Sequence, residues 1–421
     1  METVTSGTPS QVATTRERVA WCLNDTGNSA FPLVMITAIY SIYFTDVVVG
    51  DSVRGVSLWG IMISCSMGVV AVSSPLMGAL ADRRRWRKRL LFFYTLLGVV
   101  ATAACAFVGP GMVALGLLTI ALANIAFEGS LVFYDSLLPG ITTSERMGRW
   151  SGFGWSAGYV GGMACLILCL PLAKEHQFGA VFLLVAAWWF LFSSPLFFYV
   201  HERTPTNTST VGVFSQFKTS LGRIRENPDL FRFFIAFFLY NDGIATTVAF
   251  AAIYAKDELG FDMASTIKLL ICVQLSAAIG SFALGFLADK IGQVKTIIGT
   301  LFVWCGLILG AYFVETATPF WGIAIGVGVV LGGTQSCSRS FLASTVSQDR
   351  AGEYFGFKAV AGKFSAMIGP LLFAGITYLT GSQRPAILAV GLLFVAGLVL
   401  MFRVNEARAA DVEKLNETLA S

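Results

Sequence analysis

The chain has 421 residues, of which 55% are hydrophobic and 13% are charged, and its net charge is +4 at pH 7. Soluble domains carry roughly 25% charged residues, so this chain has too few charges to cover a surface that faces water. The composition therefore excludes an ordinary soluble protein and predicts an all-α membrane protein within a lipid bilayer.

Twelve apolar runs in the sequence are long enough to cross a membrane, since a spanning helix needs about 20 residues. Polar tails at 1–21 and 404–421 flank them, and the longest polar interruption, at 201–229, separates six-helix bundles at 22–200 and 230–403. No short apolar segment with a cleavage site follows the first tail, so we expect no signal peptide. The predicted spans cover 22–49, 56–81, 90–109, 112–138, 151–173, 178–200, 230–255, 266–288, 295–314, 318–346, 352–379 and 384–403.

The positions of the basic residues support this number of spans. With twelve spans, most of the 29 lysines and arginines fall in the loops on one side, together with both termini. An excess of Lys and Arg marks the cytoplasmic side, so we expect both termini in the cytoplasm. Because the positive charge has this topological role, no nucleic-acid partner is expected.

The first predicted span opens with the polar stretch WCLNDTGNSAF at 21–31. Asp25 and Asn28 can face a water-filled path while Trp21 anchors the span at the interface. We therefore place Asp25 and Asn28 in a pathway for substrate or protons, together with Tyr40 further along the span.

The fourth span carries ionisable groups, which are costly inside a membrane and indicate function. Glu128 and Asp135 are seven residues apart, so they share one helix face with Asn124. We expect this face to border a central cavity, with Glu128 at mid-depth. Glu128 has no base three or four residues away, and a lone carboxyl there suits a proton carrier or a partner for a solute amine.

Spans 7, 8 and 10 add further polar groups to the expected pathway. They are Asn241, Asp242, Gln274 and Gln335. Gly243 follows Asp242, and this Asn-Asp-Gly sequence predicts a local helix break that directs backbone groups at a ligand. The alternative is that Asp242 is a simple interfacial residue.

Bases within spans 10 and 11 suggest a gate at the cytoplasmic end. Arg339 follows Asp135 by 204 residues, and Lys358 and Lys363 lie on the next span. We hypothesise that Asp135, Arg339 and Lys358 close the cytoplasmic end in the outward-open state, and we group Lys363 with them. The alternative is a static ion pair that only satisfies each charge.

The two halves contain related segments. SPLMGALADR at 74–83 matches GSFALGFLADK at 280–290, and ERMGRWSGF at 145–153 matches DRAGEYFGF at 349–357. Both pairs fall at corresponding turns after spans 2 and 8 and after spans 4 and 10. Two parallel repeats imply two pseudo-symmetric bundles around an axis along the membrane normal, with a solute path between them.

The loop that begins at Gly78-Ala-Leu-Ala-Asp82-Arg83 resembles the best-known signature of the major facilitator superfamily, and it departs at Arg85, where that family has glycine. The resemblance implies the major facilitator fold. It also implies that Asp82 and Arg83 act in switching between conformations, as does Asp289 in the second copy. Asp82 would meet the start of span 11 and Asp289 the start of span 5. The alternative is a basic loop that only anchors topology.

A narrower resemblance is to the autophagy-linked vacuolar amino-acid effluxer family and its bacterial relatives. It is carried by WCLNDTGNSAF (21–31), LYNDGIATTVAFAAIYA (239–255), GGTQSCSRS (332–340) and EYFGFKAVAGKFSAMIGP (353–370), and it departs at Asn24, where that family has tyrosine. It implies a monomeric secondary transporter, in a bacterial inner membrane, that moves an amino acid or similar small solute by alternating access. Proton coupling through Glu128 is a further hypothesis.

Two alternatives stay open at this point. One is a transporter of another solute class, such as a sugar, drug, lipid or metal complex. The other is a membrane sensor that keeps the scaffold but does not transport. No metal site, cofactor or enzymatic activity is expected, because the eight cysteines form no Cys-x-x-Cys pair, the two histidines lie in loops, and no P-loop motif is present.

Overall fold

The computed structural model describes residues 13–203, 213–365 and 368–418. These residues are helical or lie in short turns, and twelve helical segments are long and apolar enough to cross a membrane, which confirms the predicted number. Numbered in chain order, the spans are Thr15–Val49, Ser52–Arg84, Arg87–Phe107, Val113–Ser136, Ser144–Lys174, Phe178–Tyr199, Pro228–Ala251, Ser265–Ile291, Gln293–Phe313, Ala317–Thr345, Ala351–Thr380 and Arg384–Met401.

Several spans consist of more than one helix, or of a helix longer than the span. Span 1 contains the α-helix Thr15–Asn28, the π-helix Phe31–Ala38, a short helix Tyr40–Tyr43 and the π-helix Phe44–Val49. The remaining bounds that differ from those of the spans are Arg87–Ala104, Cys105–Phe107, Ser144–Arg146, Met147–Lys174, Pro228–Asp257, Met263–Ile291, Ala351–Ser365 and Ile368–Thr380. Helices outside the spans are Leu138–Ile141, Val213–Glu226 and Glu406–Thr418.

Polar side chains define where the helices begin. Thr14 and Glu17 form a capping box that starts span 1 seven residues before the predicted limit of 22. Asp51 accepts a hydrogen bond from the backbone N–H of Arg54 at 3.0 Å and caps span 2. Asp262 caps the helix of span 8 in the same way, and the hydrogen bonds from Ser265 lower the pKa of this exposed carboxyl.

Both ends of the described chain lie at one end of the bundle, here called the termini end. Arg18 in the first turns of span 1 donates to the carbonyl oxygen of Ile141, beyond the end of span 4. In the C-terminal helix Glu406–Thr418, Glu413 accepts a hydrogen bond from Tyr354 at the start of span 11 at 2.8 Å. Because successive spans alternate in direction, these starts and ends belong to the same face of the protein.

Each bundle is fastened at the termini end by an acid on its first span, in an arrangement that we call a terminal clamp. In the first bundle, buried Glu17 accepts from the backbone N–H of His201 at 3.2 Å and from Arg203 at 2.8 and 2.9 Å. In the second, buried Asp229 accepts from the Nη2 of Arg408 at 2.7 Å. The clamps tie the first span of each bundle to the residues that follow its sixth span.

A second acid next to each clamp caps the third span of the same bundle. Glu202 accepts from the backbone N–H groups of Arg87 and Lys88 at 3.1 and 3.2 Å. Glu406 accepts from the backbone N–H of Val294 at 3.2 Å. A carboxylate is favoured at a helix N-terminus, so the third span of each bundle is stabilised by the same kind of contact.

Asp229→Asn should lower the thermal unfolding midpoint of the purified protein. The side chain is completely buried, and removing its charge weakens the contacts with Arg408, at an expected cost of about 1–3 kcal/mol. Asp411→Asn, on the exposed face of the C-terminal helix, is the matched control and should leave the midpoint unchanged. Equal midpoints for the two variants would contradict a stabilising clamp.

Candidate functional site

Glycines bring the two halves into direct backbone contact at the termini end. A Cβ atom added at Gly78 on span 2 would lie 2.2 Å from the carbonyl oxygen of Gly352 on span 11. A Cβ at Gly152 on span 5 would lie 2.3 Å from the carbonyl oxygen of Ser281 on span 8. Only glycine fits at these crossings, as is common where membrane helices pack closely.

Beside each glycine crossing, a carboxylate from one half accepts hydrogen bonds from a helix N-terminus of the other half. Asp82 accepts from the backbone N–H groups of residues 352 and 353 at 3.0 and 2.9 Å. Asp289 accepts from those of residues 148 and 149 at 2.8 and 3.2 Å. These are the contacts with spans 11 and 5 that the family resemblance implies, and they suit the positive end of a helix dipole.

The arginine that contacts Asp82 is Arg87, which the sequence did not single out. Its Nε lies 2.6 Å from Oδ1 of Asp82, and both side chains are buried, whereas Arg83 is partly exposed. Arg85 between them has a left-handed backbone with φ of 54°, at the position where the family has glycine. This turn returns the chain so that Arg87 reaches Asp82. A glycine would adopt this turn without strain. The glycine that the family has at the position of Arg85 was therefore the feature of the sequence from which the turn could have been predicted.

Arg339 of span 10 inserts its guanidinium among groups of the first half. Its Nη1 lies 3.1 Å from Asp25 and 3.2 Å from Asp135. Its Nε donates to the hydroxyl of Ser151 at 3.0 Å, and its Nη2 donates to the carbonyl oxygen of the same residue at 2.7 Å. Arg339 is 1% exposed, so this is a buried and multiply hydrogen-bonded ion pair.

Aromatic rings complete this surrounding. The guanidinium carbon of Arg339 lies 4.9, 5.6 and 5.4 Å from the ring centroids of Trp21, Tyr134 and Trp155, within cation–π range. We call the six groups around it the guanidinium cage; they are Trp21, Asp25, Tyr134, Asp135, Ser151 and Trp155. Span 1, span 4 and span 5 each contribute two of them, so the cage belongs wholly to the first half.

Lys358 extends the contact with the cage, and Lys363 makes a separate pair deeper in the protein. Lys358 Nζ lies 3.2 Å from Oδ2 of Asp135. Lys363 pairs with Glu128, whose side chain is 10% exposed. The expectation that Glu128 is a lone carboxyl was therefore wrong. Its partner, Lys363, lies in the other half of the protein and not three or four residues away on the same helix.

Amide side chains lie near this deeper pair. Asn241 donates to the hydroxyl of Ser365, two residues after Lys363, at 2.8 Å, and it accepts from Gln335 at 3.1 Å. Together they link spans 7, 10 and 11 of the second half. Gln274 lies on span 8 and is partly exposed.

The predicted helix break at Asp242 is wrong. The helix Pro228–Asp257 continues through Asn241, Asp242 and Gly243, because a glycine interrupts no backbone hydrogen bond. Asp242 is 1% exposed and accepts from the backbone N–H of Gly369 at 2.9 Å, at the start of the helix Ile368–Thr380. It therefore joins span 7 to span 11 within the second half.

The remaining predicted pathway residues lie within the first half and are buried. Tyr40 is 0% exposed in the apolar core of that bundle, and its hydroxyl donates to the carbonyl oxygen of Gly116 at 3.1 Å. Asn124 donates to the hydroxyl of Ser66 at 2.7 Å. Asn28 is 2% exposed, next to the hydroxyl of Ser29 at 3.4 Å. Within the described ranges, no group of three or more His, Cys, Asp or Glu could hold a metal ion.

Comparison with known proteins identifies the family. The profile described as "Vacuole effluxer Atg22 like" matches residues 44–414. The MFS-type transporter YxiO of Bacillus subtilis is 32% identical and aligns over 96% of this chain and 98% of its own length. Autophagy-related protein 22-1 of Aspergillus niger is 22% identical over 86% of this chain and 75% of its own length.

Solved structures agree on the fold. The human organic anion transporter MFSD10 (TETRAN) superposes with a TM-score of 0.73 at 16% sequence identity, covering 94% of this chain and 100% of that one. Its identity is low, so it supports the fold alone. Together with the match to residues 44–414, these findings confirm both resemblances seen in the sequence. The chain is an integral membrane transporter of the major facilitator superfamily, and it belongs to the Atg22-like vacuole effluxer family.

Proposed function

We propose that this transporter moves an amino acid or a similar small zwitterion by alternating access, and that its transport is coupled to protons. The observation that carries the proposal is the pair of Glu128 and Lys363, one from each half of the protein. A zwitterion carries one charge of each sign. Its ammonium group can therefore take the place of Lys363 at Glu128, while its carboxylate binds Lys363.

The surroundings of the pair suit exchange with a solute. The side chains of Glu128 and Lys363 are 10% and 21% exposed, so both are partly shielded from solvent. A shielded ion pair is poor evidence for stability, because desolvation offsets much of its attraction. Asn241 and Gln335 in the second half offer amide groups to a polar solute.

Proton coupling follows from what happens when the pair separates. If the halves part without a solute, Glu128 loses its cation and burial of its charge becomes costly. Uptake of a proton removes that charge. We therefore assign Glu128 as the proton carrier, and we expect the Glu128→Gln variant to lose the pH dependence of transport.

The contacts at the termini end are the proposed gate. Asp82, Asp289 and Arg339 each join one half to the other, so this end is closed. We propose that this end faces the cytoplasm of a bacterial inner membrane, because it carries most of the positive loops. The closed end then corresponds to the outward-facing state of a monomeric transporter.

Counterflow in proteoliposomes tests the function. Amino acids are screened by thermal shift, and those that stabilise the protein are loaded inside vesicles while labelled solute is supplied outside. Glu128→Gln and Lys363→Gln should each lower the counterflow rate by at least about 100-fold, since removing one partner of a buried pair costs about 3–5 kcal/mol. Glu175→Gln, in an exposed loop, is the control and should transport normally.

Two outcomes would contradict the proposal. Wild-type counterflow in both Glu128→Gln and Lys363→Gln would exclude the pair from the solute site. Absence of counterflow with every stabilising amino acid would favour a sensor, or a carrier of another solute class.

A further inference from the structure

We propose that the guanidinium cage is a second binding site on the solute path, for a guanidinium or ammonium group, and that Arg339 occupies it as a tethered competitor. The inference rests on the proposed function and narrows its substrate class to solutes with a cationic side chain, such as basic amino acids. In the closed state the other half of the protein supplies the cation. In the open state a solute would supply it.

The cage is complete without the second half. Asp25, Asp135 and Ser151 accept all four hydrogen bonds that the guanidinium donates, at 2.7–3.2 Å. Carboxylates and carbonyl oxygens at these distances match the planar fork of a guanidinium. An arginine side chain of a free solute presents the same planar group with the same donors.

The charge of the cage changes when the halves part. Both cations that contact it, Arg339 and Lys358, belong to the second half and move away with it. Asp25 and Asp135 then remain side by side among three aromatic rings. Two carboxylates beside three aromatic rings attract a cationic side chain by charge and by cation–π contact, whereas an uncharged side chain gains neither.

A glycine makes room for the cation. A Cβ added at Gly154 would lie 2.6 Å from Oδ2 of Asp25 and 2.7 Å from Nη2 of Arg339. Any larger residue would therefore displace the guanidinium from its acceptors. The same glycine leaves a space that a solute cation can fill.

The depth of the cage separates it from the Glu128 site. Asp135 follows Glu128 by seven residues of the same helix, which corresponds to about 10.5 Å toward the termini end. A solute leaving or entering through that end would meet the cage after or before Glu128. When Arg339 returns, it displaces the cation, so closure and release become one event.

Thermodynamic linkage predicts in which direction a bound cation shifts the conformational equilibrium. A cation that binds the cage only when Arg339 is absent must shift the protein toward the state that is open at the termini end. The same cation should bind more tightly when Arg339 is removed, because the tethered competitor is gone.

Binding to the Arg339→Ala variant tests the site directly. Purified protein is titrated with methylguanidinium, with arginine, and with citrulline, which has the shape of arginine but no side-chain charge. Arginine and methylguanidinium should bind, and arginine should bind at least about 10-fold more tightly than it does to the Arg339→Ala/Asp25→Asn double variant. Citrulline should bind the single and the double variant with equal affinity. Equal binding of arginine and citrulline, or unchanged binding in the double variant, would overturn the proposal.

A second measurement uses a protein that retains Arg339, so its result does not depend on the folding of the Arg339→Ala variant. Ser336 is completely buried, and its carbonyl oxygen accepts from Ser151 across the two halves at 2.7 Å. In Ser336→Cys, arginine should increase labelling of the new thiol by an impermeant maleimide at the termini end, and citrulline should not. Equal labelling with both solutes would contradict the cage as a cation site.

The outcomes also separate this inference from the proposed function. If a neutral amino acid supports counterflow while neither arginine nor methylguanidinium binds, the transporter proposal stands and the cage proposal fails. If methylguanidinium binds the Arg339→Ala variant while no amino acid supports counterflow, the cage is a cation site in a protein with a different cargo.

Discussion

Replacing Gly78 with valine should hold the transporter open at the termini end and reduce its transport rate by up to about 100-fold. A Cβ at this position would lie 2.2 Å from the carbonyl oxygen and 2.7 Å from the carbonyl carbon of Gly352. Backbone atoms cannot move away as a side chain can, so span 2 has to separate from span 11. Overpacking of this kind typically costs 1–3 kcal/mol, and about 2.8 kcal/mol corresponds to 100-fold.

The same span provides the control for this prediction. Gly68→Val adds the same volume to span 2 at a glycine with no neighbouring atom within 4 Å of its Cβ. Counterflow and maleimide labelling at the termini end should be near wild type in Gly68→Val. In Gly78→Val, transport should be far lower than in the wild type, and maleimide labelling of the Ser336→Cys thiol should be far higher. Similar behaviour of the two variants would show that the crossing of spans 2 and 11 does not control access.

Replacing Arg339 with methionine should destabilise the closed state by about 3–5 kcal/mol, because Asp25 and Asp135 keep their burial but lose their shared cation. The population should then shift toward the open state by a factor of 10² or more. Distances between spin labels on the two halves at the termini end measure this shift. Arg339→Lys keeps the charge but loses the fork that reaches Ser151, so its effect should be smaller.

A double-mutant cycle separates this charge effect from lost packing. Adding Asp25→Asn to Arg339→Met removes one of the two unpaired carboxylates and should recover part of the closed population. Arg54→Met removes an exposed charge at the opposite end of the protein and should leave the spin-label distances unchanged. If Arg339→Met leaves them unchanged as well, Arg339 does not hold the halves together.

The fold could be predicted from the sequence because a bilayer imposes one length on every spanning helix. Twelve apolar runs, and the charge asymmetry between their loops, fixed the number of spans. The start of span 1 was missed because residues 15–18 are polar. Their helix depends on the capping box of Thr14 and Glu17 and on contacts with residues after span 6, not on hydrophobicity.

The internal repeat brought Asp135 and Arg339 together as candidates, because their offset of 204 equals that of the segments at 145–153 and 349–357 and places them at equivalent positions of the two halves. The partner of Glu128 could not be found in that way. Lys363 lies 235 residues later, at an offset that belongs to no repeat, and only the packing of spans 4 and 11 brings the two charges together.

The aromatic rings of the guanidinium cage could not be predicted from the sequence either. Trp21, Tyr134 and Trp155 occur on three different spans, each among many other aromatic residues. Nothing in their spacing distinguishes them from lipid-facing or core residues. Their contact with Arg339 depends on the small volume of Gly154, where an added Cβ would lie 2.7 Å from the guanidinium.

The terminal clamps bear on how such a protein could have arisen. Val200-His-Glu-Arg203 and Val404-Asn-Glu-Ala-Arg408 place the same chemistry after the sixth span of each half, and each set binds its own half. A contact that served only the joined protein would not need to occur twice. An ancestral unit of six helices that folded alone would need one terminal clamp. Gene duplication and fusion of two such units would then place a clamp in each half of one chain.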